Sequence, residues 1–259
     1  MSTERDVEKR IGGGAEGTTP QGRTRSLLVA GALLLLTFFA MGIAVFANPG
    51  HPWSQGLDDA WRVAVGVGPE SALPGSPLAE FFQNLGQLPG FVLMMLVVPL
   101  ALVIVGRWRS AIFVVVAQLT GPGLVSQFAK NIVDRPRPAA DEAAGLFGPL
   151  VTVDHGSFPS GHAVTAAVVA VTLVALIPPS RRLLRGIGIA IAVLLPLGMA
   201  WQRTLINAHW VSDTVAGTFA GLGVALLLAW AFQPWLRRDY GRRPWFVRNN
   251  SLTQAKEAS

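Results

Sequence analysis

The stretch LLVAGALLLLTFFAMGIAVFA, Leu27 to Ala47, carries no charged residue and has the length of about 20 residues needed to cross about 30 Å of hydrocarbon as a helix. It follows Arg23 and Arg25 and runs into no small-residue cleavage site, so it reads as a retained anchor rather than a removed signal peptide. Five further apolar runs follow, at Pro89 to Gly106, Ser110 to Ala129, Ala163 to Pro179, Gly186 to Trp201 and Thr214 to Leu236. The expected fold is therefore all-α: a polytopic membrane protein with six transmembrane helices. Gly121, Pro122 and Gly123 predict a kink in the third of them.

Composition agrees. Of 259 residues, 51% are hydrophobic and 14% charged, and the mean hydropathy of +0.45 argues against an ordinary soluble domain. Cysteine is absent, which removes disulfides, thiol nucleophiles and Cys-based metal sites together. A net charge of +6 suggests nucleic acid only until the charges are placed. Six spans put both termini on one side, and 16 of the 21 basic residues fall in the segments on that side, which marks it as cytoplasmic. Five remain outside: Arg62, Lys130, Arg135, Arg137 and Arg203. The basicity is a topology signal, and no nucleic-acid partner is expected. Residues 1–25 and 237–259 read as cytoplasmic tails, the first disordered and the second basic, flanking a membrane domain over 26–236. Within that domain, 48–88 forms an outer loop with amphipathic stretches at 57–67 and 78–85, expected along the membrane surface, and 139–158 a second outer loop.

Three polar clusters stand at the outer ends of these spans. Lys130 is the single lysine between the tails, placed where a compact ammonium suits a phosphate; the plain alternative is a snorkelling interfacial lysine. Arg137 follows at a seven-residue offset, near two helical turns, and Arg135 is either a competing guanidinium or a partner of Asp134. In Ser157-Phe-Pro-Ser-Gly-His162, Ser160 reads as a helix N-cap, and Gly161 with the amides after it presents free N–H groups and a positive helix dipole to an anion. His162 stands in that first turn. In the segment from Arg203 to Asp213, His209 and Asp213 are four residues apart and share a helix face. An aspartate there fixes the imidazole tautomer and frees the other nitrogen as base or nucleophile; Arg203 either stabilises an oxyanion or holds Asp213 as an ion pair. Ionisable groups at a membrane are costly, which favours function for all three clusters.

Taken together these residues resemble the membrane-bound type 2 phosphatidic acid phosphatases, which share an active-site plan with vanadium haloperoxidases and bacterial acid phosphatases. Lys130, Arg137 and Pro138 match the first motif of that family, Pro159 to His162 the second, and Arg203, His209 and Asp213 the third. Gln202 departs from the serine usual before the arginine, with little effect expected on chemistry. The resemblance implies a helical-bundle core of the acid phosphatase type, with His209 attacking phosphorus, Asp213 orienting it and His162 protonating the leaving oxygen. Lys130, Arg137, Ser160, Gly161 and Arg203 would hold the phosphoryl oxygens, with no cofactor and no metal. The implied activity is hydrolysis of a lipid phosphate or diphosphate (polyprenyl diphosphate, phosphatidylglycerol phosphate or phosphatidic acid) at the outer face of the cell membrane. A phosphotransferase using the same phosphohistidine, and a non-catalytic lipid-phosphate carrier, are the competing readings; the oligomeric state stays open.

Overall fold

A computed structural model describes residues 24–153 and 156–242; most of both expected tails lies outside the described residues. Eight helices carry the described chain: α1 (Arg25–Ala47), α2 (Gln55–Val65), α3 (Pro77–Leu85), α4 (Leu88–Ile104), α5 (Trp108–Ile132), α6 (Gly161–Leu176), α7 (Arg182–Leu205) and α8 (Val211–Asp239). Each of the six apolar runs falls on a helix, and four or five of these helices are by themselves long and apolar enough to cross a membrane. By length and hydropathy α1, α5, α7 and α8 can span a membrane, and α3 with α4 makes a fifth candidate bent by 56° at the break between them. Helix α6 has 16 residues, about 24 Å at 1.5 Å per residue, short of the hydrocarbon thickness.

Helix α6 is packed by α7 and α8, and its buried face is Ala163, Val164, Ala166, Ala167, Val168, Ala170 and Thr172, small enough for close helix approach. On α8, a Cβ at Gly217 would lie 2.5 Å from the Ser160 carbonyl oxygen, and one at Gly221 would lie 2.5 Å from that of Val164. This glycine pair sets the start of α6 against the start of α8. The C-terminal end of α6 is closed by arginines: Arg107 donates to the Leu176 carbonyl at 2.8 Å, and Arg185 to that of Ile177 at 3.2 Å. Two of the basic residues that set the expected orientation thus also satisfy helix-end carbonyls.

At Gly121-Pro122-Gly123, where a kink is expected, the backbone of α5 widens to a π-helix over Leu119–Ser126 and continues to Ile132. Pro122 lacks an amide donor and crowds the carbonyl four residues back, and the wider turn absorbs that misfit. The two amphipathic stretches form helices α2 and α3 close to their expected bounds, yet both dock on the bundle. Helix α2 buries Asp58 and Arg62 against the loops and α8, and α3 packs on α7 and α6. Lipid-facing positions such as Leu36, Ile43 and Leu194 are more than half exposed, as expected of side chains solvated by hydrocarbon.

Candidate active site

Helix α7 ends where Asn207 takes a left-handed conformation (φ 55°), and the turn it makes delivers His209 just ahead of α8. The residue is 6% exposed. Its Nδ1 lies 2.8 Å from the Ser157 carbonyl oxygen, a group that only accepts, so Nδ1 carries the proton and Nε2 is bare. Nε2 sits 3.3 Å from Nη1 of Arg137. Burial pushes the His209 pKa down to about 4; Asp213 opposes that shift and the charges of Arg137 and Lys130 reinforce it. At neutral pH His209 is an uncharged base whose unprotonated Nε2 faces the Arg137 guanidinium, a donor.

Asp213 acts at one remove. Its Oδ2 is 3.8 Å from His209 Nδ1, beyond hydrogen-bond length, and instead accepts from the Ser157 hydroxyl and from the Trp210 amide. Ser157 therefore holds both members of the pair, its carbonyl on His209 and its hydroxyl on Asp213. The ion-pair partner of Asp213 is Arg135, not Arg203: Arg135 Nη1 donates to Asp213 Oδ1 at 2.7 Å, and Nη2 to Asp58 Oδ2 at 2.8 Å. Arg135 is 1% exposed and turns away from Asp134, which is exposed, so neither role expected for it holds. Asp58 also accepts from the Ser212 amide and hydroxyl, which ties α2 to the first turn of α8.

Lys130, Arg137, Gly161, His162, Arg203 and His209 line one cavity of about 320 Å³. Lys130 Nζ and Arg137 Nη2 both donate to the Gly156 carbonyl, at 3.1 and 3.3 Å. Arg203 is 3% exposed: its Nη1 lies 3.0 Å from His162 Nε2, its Nε donates to Gln202 Oε1 at 2.6 Å, and its Nη2 is buried with no hydrogen-bond partner. Ser160 caps α6 as expected, accepting from the Ala163 amide at 3.5 Å; it is fully buried and stands behind the cavity wall with Asp213. Gln202, set aside in the sequence as minor, is 2% exposed and bridges Arg203 to Gln83 of α3 through a 3.1 Å hydrogen bond.

Of the five cations expected on the outer face, three line the cavity and two do not. Arg135 and Arg62 lie over the Trp210 ring, at 5.3 and 5.6 Å from its centroid, and Arg62 also donates to the carbonyls of Ala139 and Phe147. Asp58, Ser157, Gln83 and the scaffold role of Arg135 are what the sequence did not disclose. For Asp58 the available signal was a carboxylate four residues from Arg62 on an otherwise amphipathic helix, which reads equally as solvated. Among the described residues no three His, Asp or Glu side chains converge as metal ligands. The arrangement suits phosphoryl chemistry: a bare imidazole nitrogen, three cations and a helix N-terminus around one cavity.

The PAP2 superfamily model matches residues 110–237. Lipid A 1-phosphatase of Rhizobium johnstonii is 32% identical over 113 residues, 42% of this chain and 43% of that protein. Phosphatidylglycerophosphatase B of Escherichia coli is 35% identical over 77 residues, 30% of this chain and 29% of that protein. The chain thus matches less than half the length of either relative. A transmembrane PAP2 type phosphatidylglycerolphosphate phosphatase from Bacillus subtilis shares the fold, with a TM-score of 0.58 and 24% identity over 76% of this chain and 93% of that one.

Proposed function

The chain belongs to the PAP2 superfamily over residues 110–237, and from that premise we propose that it is a membrane lipid phosphatase acting through a phosphohistidine on a lipid phosphate at the outer leaflet. The observation that carries this reading is the bare Nε2 of His209, which faces a cavity shared by Lys130, Arg137 and an Arg203 whose Nη2 has no hydrogen-bond partner. Nε2 attacks phosphorus as the bond to the leaving oxygen breaks, and His162 gives that oxygen a proton. The three cations and the Gly161 amide take up the charge on the equatorial oxygens. Asp213, through Ser157, holds the imidazole oriented as it gains positive charge. Water then attacks the phosphohistidine, His162 takes its proton, and the nitrogen–phosphorus bond breaks to release phosphate. Ser160 contributes through the helix start that it caps, and no step draws on a metal. The membrane domain spans 26–236 with both termini cytoplasmic and the site facing out, supported by the sorting of 16 basic residues to one side.

Phosphate release from purified protein in EDTA, assayed on a panel of lipid phosphates beside His209→Ala, tests the mechanism. Release that persists in EDTA and is lost in the variant is expected. Activity that survives His209→Ala, or that vanishes with EDTA, overturns it.

A further inference from the structure

The end of the bundle away from His209 holds a second and larger cavity, of about 780 Å³, which the chemistry above leaves unused. Helices α7 and α8 both pack on α6 but touch each other little, and the cavity lies between them over Ala170 and Val174 of α6. Its walls are mostly apolar: Ile189, Val193 and Leu197 from α7, Leu222 and Leu226 from α8. On α7 it runs from Arg185 to Leu197, about 18 Å at 1.5 Å per residue, close to one leaflet's half of about 30 Å of hydrocarbon. Most of its polar groups stand where α1 and α7 begin and α8 stops. Thr24 and Gln233 are spent on each other, through bonds of 2.7 and 2.8 Å that tie the start of α1 to α8. What remains at that end is cationic. Arg185 and Arg237 line the cavity from α7 and α8, and among the described residues no Asp or Glu lines it. Asp239 is buried and takes the Arg109 guanidinium and the Ser110 amide and hydroxyl. Arg185 reaches the carbonyls of Val174 and Ile177 through Nη1 alone, at 3.4 and 3.2 Å. Tyr240 lines the same end and donates to the Ala175 carbonyl at 2.6 Å. Burial pushes its pKa up while the charges of Arg185, Arg107 and Arg237 oppose that rise, so three guanidiniums surround one phenol.

We propose that this cavity binds an anionic phospholipid, a structural lipid separate from the substrate, with an acyl chain between α7 and α8 and its phosphate at Arg185 and Arg237. An apolar cleft takes any acyl chain; guanidiniums at its end, with no carboxylate in the wall, select one whose headgroup is an anion. The proposed topology puts this end in the cytoplasmic leaflet, opposite the active site. Such a lipid braces α7 against α8 at the far ends of the two helices whose near ends carry Arg203 and Asp213. The inference does not depend on the phosphatase reading.

Native mass spectrometry of the full-length protein, released from micelles holding equal amounts of phosphatidylglycerol and phosphatidylcholine with the same acyl chains, reads the preference. Both probes are phosphodiesters, so neither offers the terminal phosphate of a substrate. Phosphatidylglycerol is expected to be retained in preference, and Arg185→Gln and Arg237→Gln should each cut that preference about fivefold, the worth of one arginine beside an anionic lipid. Arg185→Gln also frees two α6 carbonyls, so Arg237→Gln, at a half-buried position, decides the matter should the first variant not fold. Val193→Trp fills the cleft from an exposed position and should lower retention of both lipids, whereas Leu194→Trp, exposed but outside the cleft, should not. Arg137→Gln, in the active-site cavity, should leave the preference unchanged. Equal retention of the two lipids, a preference that survives Arg237→Gln, or equal effects of the two tryptophans overturns the site. A preference lost in Arg137→Gln places the lipid at the active site instead and overturns it too. Two other occupants have their own signatures, and either refutes the proposal: inorganic phosphate alone raising the unfolding midpoint as much as the lipid, or dimers without lipid that vanish in Val193→Trp.

Discussion

Replacing Arg135 by methionine keeps most of the side-chain volume and removes the charge on which two buried carboxylates depend. Asp58 and Asp213 are 1% and 0% exposed, and the Arg135 guanidinium bridges them at 2.8 and 2.7 Å. Removing one partner of a buried ion pair costs about 3–5 kcal/mol, because the remaining charge is left desolvated. Asp58 keeps its bonds from the Ser212 amide and hydroxyl and Asp213 keeps those from Trp210 and Ser157, which places the loss at the lower end, about 3 kcal/mol. For a chain of this length that lowers the unfolding midpoint in detergent by on the order of 10 °C. Because Arg135 does not line the cavity, the kinetic effect reaches the site through Asp213 and Ser157, and kcat should fall while KM stays near its original value. Arg135→Lys, one ammonium in place of a fork, should recover only part of both losses. Asp58→Asn combined with Arg135→Met strands one carboxylate rather than two, so the double variant should be more stable than the sum of the single effects by about 1–3 kcal/mol. Thermal unfolding of the four proteins closes the cycle. A midpoint for Arg135→Met within about 2 °C of the original, or strict additivity with Asp58→Asn, would refute the bridging role.

Two further outcomes follow from the geometry of the imidazoles. Since His209 has its pKa lowered to about 4, the bare ring is present above that value, and kcat/KM should fall as pH drops through about 4 rather than 6.5. Arg137→Gln takes away one cation that holds the value down, so the acid limb should move up in pH as the rate itself drops; a limb that stays put or moves down contradicts the assignment. A methyl group at Gly86 meets the His162 ring at 2.0 Å, and Gly86→Ala should therefore cut phosphate release more than tenfold. Gly75→Ala, in the same outer segment with nothing within 4 Å of the added carbon, should stay within about twofold.

Much of the architecture could be read in advance because apolar periodicity and charge sorting are local signals. Each of the six apolar runs became a helix, and the cavity-lining cations Lys130, Arg137 and Arg203 stand where their motifs put them relative to the helix ends. What could not be read depends on distance in sequence. Helix α6 ends at Leu176, packed by α7 and α8, and the carbonyls at its end are met by Arg107 and Arg185 from other segments. The tautomer of His209 was expected from Asp213, four residues away, and is instead set by a carbonyl at Ser157, 52 residues away. No spacing rule reports such a contact, since it exists only once the start of α6 is packed on the start of α8.

The fate of Arg135 and Arg137 makes the same point at the smallest scale. Both stand in one Arg-Pro-Arg-Pro run, with the same side-chain chemistry and each followed by a proline. Arg137 reaches the cavity at His209, while Arg135 is drawn inward by Asp58 of α2 and Asp213 of α8 and stacks on Trp210. A guanidinium with two buried carboxylates is electrically spent, whereas Arg203, whose carboxamide partner Gln202 is neutral, keeps its full charge for an anion. Which of these cations are left for the proposed phosphate clamp is thus decided by where the carboxylates went. The docking of α2, a helix with no motif of its own, carries Asp58 to Arg135 and makes that division.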